Sequence, residues 1–275
     1  MVRLLERRNR RNLPPTDRSM LRARAAVSRQ SRGAHTDLIP RIRRFRVRQF
    51  IEAPASLLAT TTKTTKPFDT LVLSGGGVKG IAALGSSHFL RKHGHLEGVH
   101  TFIGTSAGAI IAATLATRQD PYQIFKEHVL PFVWRADIDL NALDSGYGLD
   151  AGTALDMWLQ DLFPESLTFE DVRKKYGTTL IITVTNLNTR AAEYCGPDTT
   201  PSLHIVKALR MSCSIPLYFS AVQHEGMLYV DGGVTDNFSI EHALARKASS
   251  KILGIRFIAK PKPAGYAWTL PAFLG

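Results

Sequence analysis

The feature that most restricts what this chain can fold into is a sharp bend between residues 102 and 116. Phe102-Ile103 supplies the apolar lead-in of a short buried strand, and the alanine- and isoleucine-rich run from 107 to 116 suits a buried helix. Between them stands Gly104-Thr105-Ser106-Ala107-Gly108, a G-x-S-x-G turn. A strand-to-helix turn this tight forces its apex residue into strained dihedrals, and glycines two before and two after it remove the side chains that would clash. Ser106 is then left above a sheet at a helix N-terminus, where free N–H groups and the macrodipole favour negative charge. Two meanings stay open: a nucleophilic serine, or a small-residue turn of the kind that arises by chance in glycine-rich chains.

Two more glycine turns follow apolar runs. Residues 70–73 form a short β-like run ending in Ser74-Gly75-Gly76-Gly77-Val78-Lys79-Gly80, with a helix expected over 81–93. As a G-x-G-x-x-G dinucleotide fingerprint this loop has its strand and helix but lacks the acid at the end of the next strand, since Glu97 precedes that strand. A P-loop fits less well, because Lys79 is followed by Gly80 and not by Ser or Thr. As an oxyanion hole, successive glycines let N–H groups converge on a developing alkoxide, each donor contributing about 2.7–4 kcal/mol of transition-state stabilisation. A plain tight turn is the simpler alternative. The third turn, Asp231-Gly232-Gly233, follows Met227-Leu228-Tyr229-Val230. A strand end there can present a carboxylate to take the proton of a serine hydroxyl, provided that burial lifts it from roughly 3.9. The alternative is a solvated Asp-Gly turn.

In order and spacing, GGGVKG, GTSAG and DGG resemble the motifs of the patatin-like phospholipases, lipid acyl hydrolases that use a serine–aspartate dyad without a catalytic histidine. Residues 207–219 (KALRMSCSIPLYF), with Tyr229 to Asn237 (YVDGGVTDN) after them, look like the block around that family's catalytic aspartate. The resemblance covers about 68–258. It implies an α/β fold of three layers, α/β/α, around a central, mostly parallel sheet. It also implies roles. Ser106 attacks an ester carbonyl and becomes acylated, Asp231 accepts its proton and then activates water, and the N–H groups of Gly75, Gly76 and Gly77 hold the oxyanion. Lys79 adds positive charge near that oxygen or a phosphate head group, while Gly80, Gly104, Gly108, Gly232 and Gly233 complete the motifs. The implied substrate is a membrane glycerolipid cleaved in the manner of a phospholipase A, with an acyl-chain wall built from 140–162 and 217–219. Neither metal nor cofactor is called for. Two departures stand out. Asn237 is followed by Phe238-Ser239 where family members usually carry a proline, which changes a wall near the site. Many members continue with further helices where this chain stops at Gly275, as a truncated reading frame or a compact relative would.

A Ser-His-Asp α/β-hydrolase is the nearest rival, since His204, His224 and His242 all follow Ser106, although none sits in a recognisable motif. His93-Gly94-His95 has metal-ligating residue types but falls where the first helix should end and lacks partners at ligand spacing, so a loop is expected. Cys195 and Cys213 form no C-x-x-C pair, which argues against a disulfide scaffold or a thiolate zinc site and fits a reducing compartment.

Elsewhere the pattern predicts helices over 121–130, from an Asp150 cap to 163, from a Thr168 capping box to Gly177, and over 202–211 and 239–248. Strands are predicted over 99–103, 179–184 paired with 190–194, 216–222, 227–230 and 252–258, with an irregular stretch at 134–147. Helices alternating with short apolar strands imply layered α/β architecture.

Charge divides the chain further. Residues 1–50 hold fifteen arginines against three acids and so carry the whole net charge of +12, leaving the remainder balanced. Such a segment buries too little apolar surface to offset ordering entropy, so 1–67 reads as a disordered arm with a Thr-rich linker, 68–260 as the catalytic domain and 261–275 as a short tail. The arm suits a mitochondrial presequence, a nucleic-acid arm, or an anchor to anionic lipid at about 1 kcal/mol per basic residue. With no secretory h-region and no apolar run of membrane-spanning length, the expected location is intracellular, cytoplasmic or peripheral to a membrane. The non-enzymatic rival is a nucleic-acid- or membrane-binding protein that uses this arm.

Overall fold

The computed structural model describes residues 68–132, 138, 148–246 and 251–258; the expectations for the arm at 1–67, nearly all of the irregular stretch at 134–147 and the tail at 261–275 lie outside the described residues. β1 (Thr70–Leu73) leads through a 3-10 turn (Gly77–Lys79) into α1 (Gly80–Lys92). β2 (Thr101–Thr105) leads through Ser106 into α2 (Ala107–Ala116), whose small and apolar side chains allow almost all of it to be buried. β2 starts later than expected, because a turn closed by the Val99 N–H on the Leu96 carbonyl precedes it. α3 (Pro121–Ile124) begins on a proline behind an Asp120 cap. It passes into a π-helical turn (Phe125–Val129), where Trp158 Nε1 donates to the His128 carbonyl at 2.9 Å, so the single helix expected at 121–130 has two geometries.

β3 (Gly148–Asp150) precedes α4 (Thr153–Leu162). Asp150 does not cap that helix. Gly152, left-handed at φ 81, takes the cap position, and the Asp150 carboxylate accepts its N–H at 2.7 Å to close the turn beforehand. α5 (Phe169–Tyr176) has the expected Thr168–Asp171 capping box and ends at left-handed Gly177. β4 (Thr179–Asn186) and β5 (Ala191–Cys195) form the expected hairpin. There follow α6 (Ile205–Ser212), β6 (Leu217–Phe219), β7 (Val222–His224), β8 (Met227–Asp231), a second 3-10 turn (Gly232–Val234), α7 (Ile240–Arg246) and β9 (Ile252–Ile255).

The main sheet is parallel through its centre, in the order β9-β1-β2-β4, and antiparallel where β5, β8 and β7 join it; β3 and β6 pair separately. Side chains alternate across the strands. Leu71, Leu73, Phe102, Leu180 and Ile182 face a large core that includes residues of α1, α2, α4, α5 and α6. Val72, Ile103 and Ile181 face a smaller one with Ala243 of α7. The result is a central, mostly parallel sheet with helices on both faces, one face far more heavily covered. Among the described residues no helix is long and apolar enough to cross a membrane.

β4 is the strand that positions the site. β5 occupies one of its edges over residues 182–186. The other edge is shared: β2 pairs with it as far as Thr105↔Thr183, and β8 takes over at Val184↔Asp231. Because β2 runs parallel to β4 and β8 antiparallel, their C-terminal ends meet head to head. β1 lies beside β2 with Leu73 opposite Gly104, so its glycine loop opens at the same edge.

Candidate active site

Ser106 sits at that junction with φ 53 and ψ −125, at the start of α2. Holding a non-glycine residue in so sparsely populated a region costs on the order of 1–3 kcal/mol and requires support from its surroundings. The Ser106 N–H donates to Ser212 Oγ at 2.8 Å, and the Ser106 carbonyl accepts from the Ala109 N–H at 2.8 Å. Close packing supplies the rest. A Cβ on Gly108 would stand 2.5 Å from the Leu73 carbonyl oxygen and 2.6 Å from that of Ser74, and one on Gly104 would run into the backbone of Gly108 and Ala109. The two glycines of the turn therefore let β1, β2 and α2 interlock.

Asp231 ends β8, 6 % exposed. Its N–H donates to the Ser214 carbonyl at 2.8 Å, its carbonyl accepts from Thr185 Oγ1 at 2.9 Å, and its Oδ1 accepts the Gly233 N–H at 2.7 Å. Burial pushes its pKa up to about 6, against the opposing pull of the Ser106 hydroxyl and the Gly233 N–H. The structure thus brings Ser106 and Asp231 together, the hydroxyl against a carboxyl group made more basic by desolvation.

The glycine loop needs one correction. Gly75 lies against the serine, a Cβ there falling 3.3 Å from Ser106 Cβ, but its N–H is committed to the Asn237 carbonyl at 3.1 Å. Gly75 is scaffold. The N–H groups of Gly76 and Gly77 have no partner among the described residues. Lys79 is exposed at the start of α1. Gly80 packs against Ala107, Gly232 against Thr183 and Thr105, and Gly233 holds the carboxylate of Asp231.

The late histidines make their recorded contacts with other residues. His242 stacks on Tyr194 at 3.6 Å, with its pKa lowered by burial and by Arg246. His224 lies on β7 near Glu225, while the backbone of His204 bridges that of Thr168 and its side chain lines a surface cleft. His93 closes α1, with Nδ1 at 2.8 Å from the Phe89 carbonyl. Among the described residues no three His, Cys, Asp or Glu side chains are grouped to hold a metal ion. Both cysteines are free and buried. Cys213 lies between the residues that hold the pair, its thiol pushed up by burial and by the Asp231 carboxylate.

The expected acyl wall needs revision as well. Leu155, Leu159 and Leu162 of α4 belong to the core, and residues 139–147 lie outside the described residues. A cleft of about 360 Å³ opens between α4, α6 and Ser220 to Val222, lined by Asp156, Lys207, Arg210 and His204, and neither Ser106 nor Asp231 borders it. Arg210, 5 % exposed, forms its inner wall and donates to Ala151 O at 2.7 Å and to Ser214 Oγ.

The sequence model of the family described as "Patatin-like phospholipase" matches residues 71–244. The chain belongs to that family. The match runs from β1 into α7 and so spans all three turns. Among curated relatives, the patatin-like chain is 32% identical over 190 residues to "Probable lipid hydrolase 463L" of Invertebrate iridescent virus 6, covering 65% of this chain and 64% of that one. It is 33% identical over 198 residues to the protein YqhO of Bacillus subtilis, covering 62% of this chain and 64% of the relative. The match therefore spans less than two thirds of either relative. VipD from Legionella pneumophila aligns at 20% identity over 62% of this chain and 46% of its own, with a TM-score of 0.47.

Ser212, Ser214, Arg210 and Asn237 fall within the family-like blocks at 207–219 and 229–237, but the sequence assigns none of them a role. The local signal for the first three is the run Arg210-Met211-Ser212-Cys213-Ser214, where polar groups cluster at the end of an otherwise apolar helix. Asn237 ties two turns together, its carbonyl on the Gly75 N–H and its Nδ2 at 3.4 Å from the Gly75 carbonyl. The departure from the family proline is absorbed on the far face, where Phe238 joins the smaller core and its N–H is held by Asp236 Oδ1 at 3.2 Å.

Proposed function

We propose that this chain is a lipid acyl hydrolase that cleaves fatty-acyl esters of membrane glycerolipids in the manner of a phospholipase A, by a serine–aspartate dyad. One observation carries this reading: the head-to-head meeting of β2 and β8 on β4, which sets the Ser106 hydroxyl against a buried Asp231 carboxylate. Ser106 Oγ attacks the ester carbonyl and its proton passes to Asp231. The tetrahedral oxyanion lies within the N–H groups of Gly76 and Gly77 and the start of α2. Collapse breaks the bond to the alcohol, which leaves with the proton from Asp231. Water then attacks the acyl-enzyme with Asp231 as base, releasing the fatty acid and restoring Ser106. A pKa near 6 suits this double duty, since the group is ionised at neutral pH yet far more basic than a solvated aspartate. His204 lines a cleft that neither Ser106 nor Asp231 borders, His224 lies beside Glu225 and His242 stacks on Tyr194, which supports a dyad over a Ser-His-Asp triad.

The test is product analysis on phospholipid vesicles. The full chain is expected to release free fatty acid and lysophospholipid. Ser106→Ala should reduce this to background, and Asp231→Asn should cost at least about 10²–10⁴-fold, the span of a general base. Substitution of His204, His224 or His242 should leave turnover standing. Loss of activity on replacing one late histidine would favour the triad. No release by the wild type, together with salt-sensitive nucleic-acid binding indifferent to Ser106→Ala, would favour a scaffold without this chemistry.

A further inference from the structure

Ser212 is fully buried at the C-terminal end of α6, and its hydroxyl makes two hydrogen bonds whose directions are fixed by its single proton. Oγ donates to the Thr183 carbonyl at 2.7 Å, which leaves it the acceptor for the Ser106 N–H at 2.8 Å. Thr183 is the last β4 residue paired with β2, and the next residue, Val184, is already opposite Asp231. Two residues beyond Ser212, the Ser214 carbonyl accepts the Asp231 N–H at 2.8 Å. The segment 212–214 therefore straps together the two strand ends that carry the hydroxyl and the carboxyl group.

We propose that Ser212 is a positioning residue for the nucleophile: its hydroxyl bridges the backbone of Ser106 to β4 and sets where Ser106 Oγ stands relative to Asp231. This rests on Ser106 being the nucleophile, as proposed above. Ser106 is in left-handed backbone at φ 53, so its N–H needs a partner placed for that conformation. Without the Ser212 acceptor that N–H is buried and unpaired, and the turn relaxes toward a conformation that moves Oγ off line. Ser212 is fully buried and both bonds of its hydroxyl go to backbone groups, so it acts on the rate at each competent site and not on substrate binding or on the protonation of the base.

The experiment uses the full chain, an alkyl fluorophosphonate that labels the serine, and a soluble short-acyl ester. Labelling gives both the titre of reactive sites and the rate constant per site. Ser212→Ala is expected to slow labelling and kcat together by about a hundredfold per labelled site, the scale of a small misplacement at a reacting centre. KM and the midpoint of the acid limb should stay where they are. Ser212→Thr, which keeps the hydroxyl, should recover much of the loss. Ser87→Ala, which removes an equally buried hydroxyl bonded to the Ala83 carbonyl, should keep wild-type rates per site. Should Ser212→Ala fail to accumulate folded, Ser212→Cys, similar in size but a weak acceptor, must show the per-site loss. A Ser212 variant with fewer labelled sites but a wild-type rate at each, or with its loss in KM, overturns the proposal. A wild type that takes up no probe overturns the reading of Ser106 itself, and this inference with it.

Discussion

At the scale of single residues, Asp231 is the group in tension, because the burial that makes it basic also makes its charge costly. Its folded pKa of about 6 stands above the ordinary 3.8, so the folded state binds the proton more tightly than the unfolded one. The stability this gives is fully present below 3.8 and is lost as pH rises through about 6. The ionised group near neutrality therefore costs up to about 3 kcal/mol of folding stability. Asp231→Asn should accordingly be more stable than the wild type above pH 6, the gap closing toward 3.8, as denaturant unfolding at several pH values would show. Activity runs the other way: kcat/KM for a soluble ester should climb with pH to about 6 and level off above it. A variant equally destabilised at all pH values would mean that the carboxylate is not held in a desolvated site. The sequence shows an aspartate between a strand and two glycines and shows that burial must raise it. It cannot show that the Ser214 carbonyl and the Thr185 hydroxyl hold its backbone, since both contacts depend on how distant segments pair.

At the scale of elements, glycines separate legible positions from opaque ones. Gly85 lies within α1 with nothing within 4 Å of a Cβ, whereas a Cβ on Gly108 would strike carbonyl oxygens of Leu73 and Ser74. Gly85→Ala should therefore raise stability by about 1 kcal/mol through helix propensity. Gly108→Ala should lower it by about 3 kcal/mol, since backbone and not a flexible side chain must move. It should also slow fluorophosphonate labelling, because the displaced segments carry Ser106. Thermal melts of the two variants beside the wild type check both signs. The turns themselves are legible because each is local, an apolar run and a glycine bend adjacent in sequence with a helix soon after. The Thr168 capping box and Gly177 stop are legible for the same reason. Asp150 misleads because an aspartate before a helix serves equally as a cap or as the closing group of an earlier turn, and left-handed Gly152 decides between them. Gly75 misleads because its N–H meets a carbonyl supplied 162 residues later.

At the scale of the whole molecule, what the sequence leaves open is topology. That β1 and β2 are neighbours follows from short connections, but that β8 abuts β2 on the same edge of β4 joins residues far apart in the chain, and no local pattern encodes it. Charge is different, being additive and readable without a fold. All of the net +12 resides in residues 1–50, and the site lies in the balanced remainder. If, of the three readings of residues 1–50, the anchor to anionic lipid is the one that holds, adsorption and turnover are separate functions of separate parts of the chain. Adsorption through arginine falls as salt screens it, each residue contributing about 1 kcal/mol near an anionic surface. The chemistry proposed between Ser106 and a buried carboxylate involves no long-range charge and should be nearly indifferent to salt. The full chain should therefore bind vesicles containing anionic lipid at low ionic strength, release them at high ionic strength, and hydrolyse a soluble short-acyl ester at the same rate in both. Vesicle sedimentation beside an esterase assay in matched buffers measures the two together. Vesicle binding that resists salt would place the membrane contact on an apolar surface of the body, and ester turnover that falls with salt in step with binding would mean that the arm and the site are not independent.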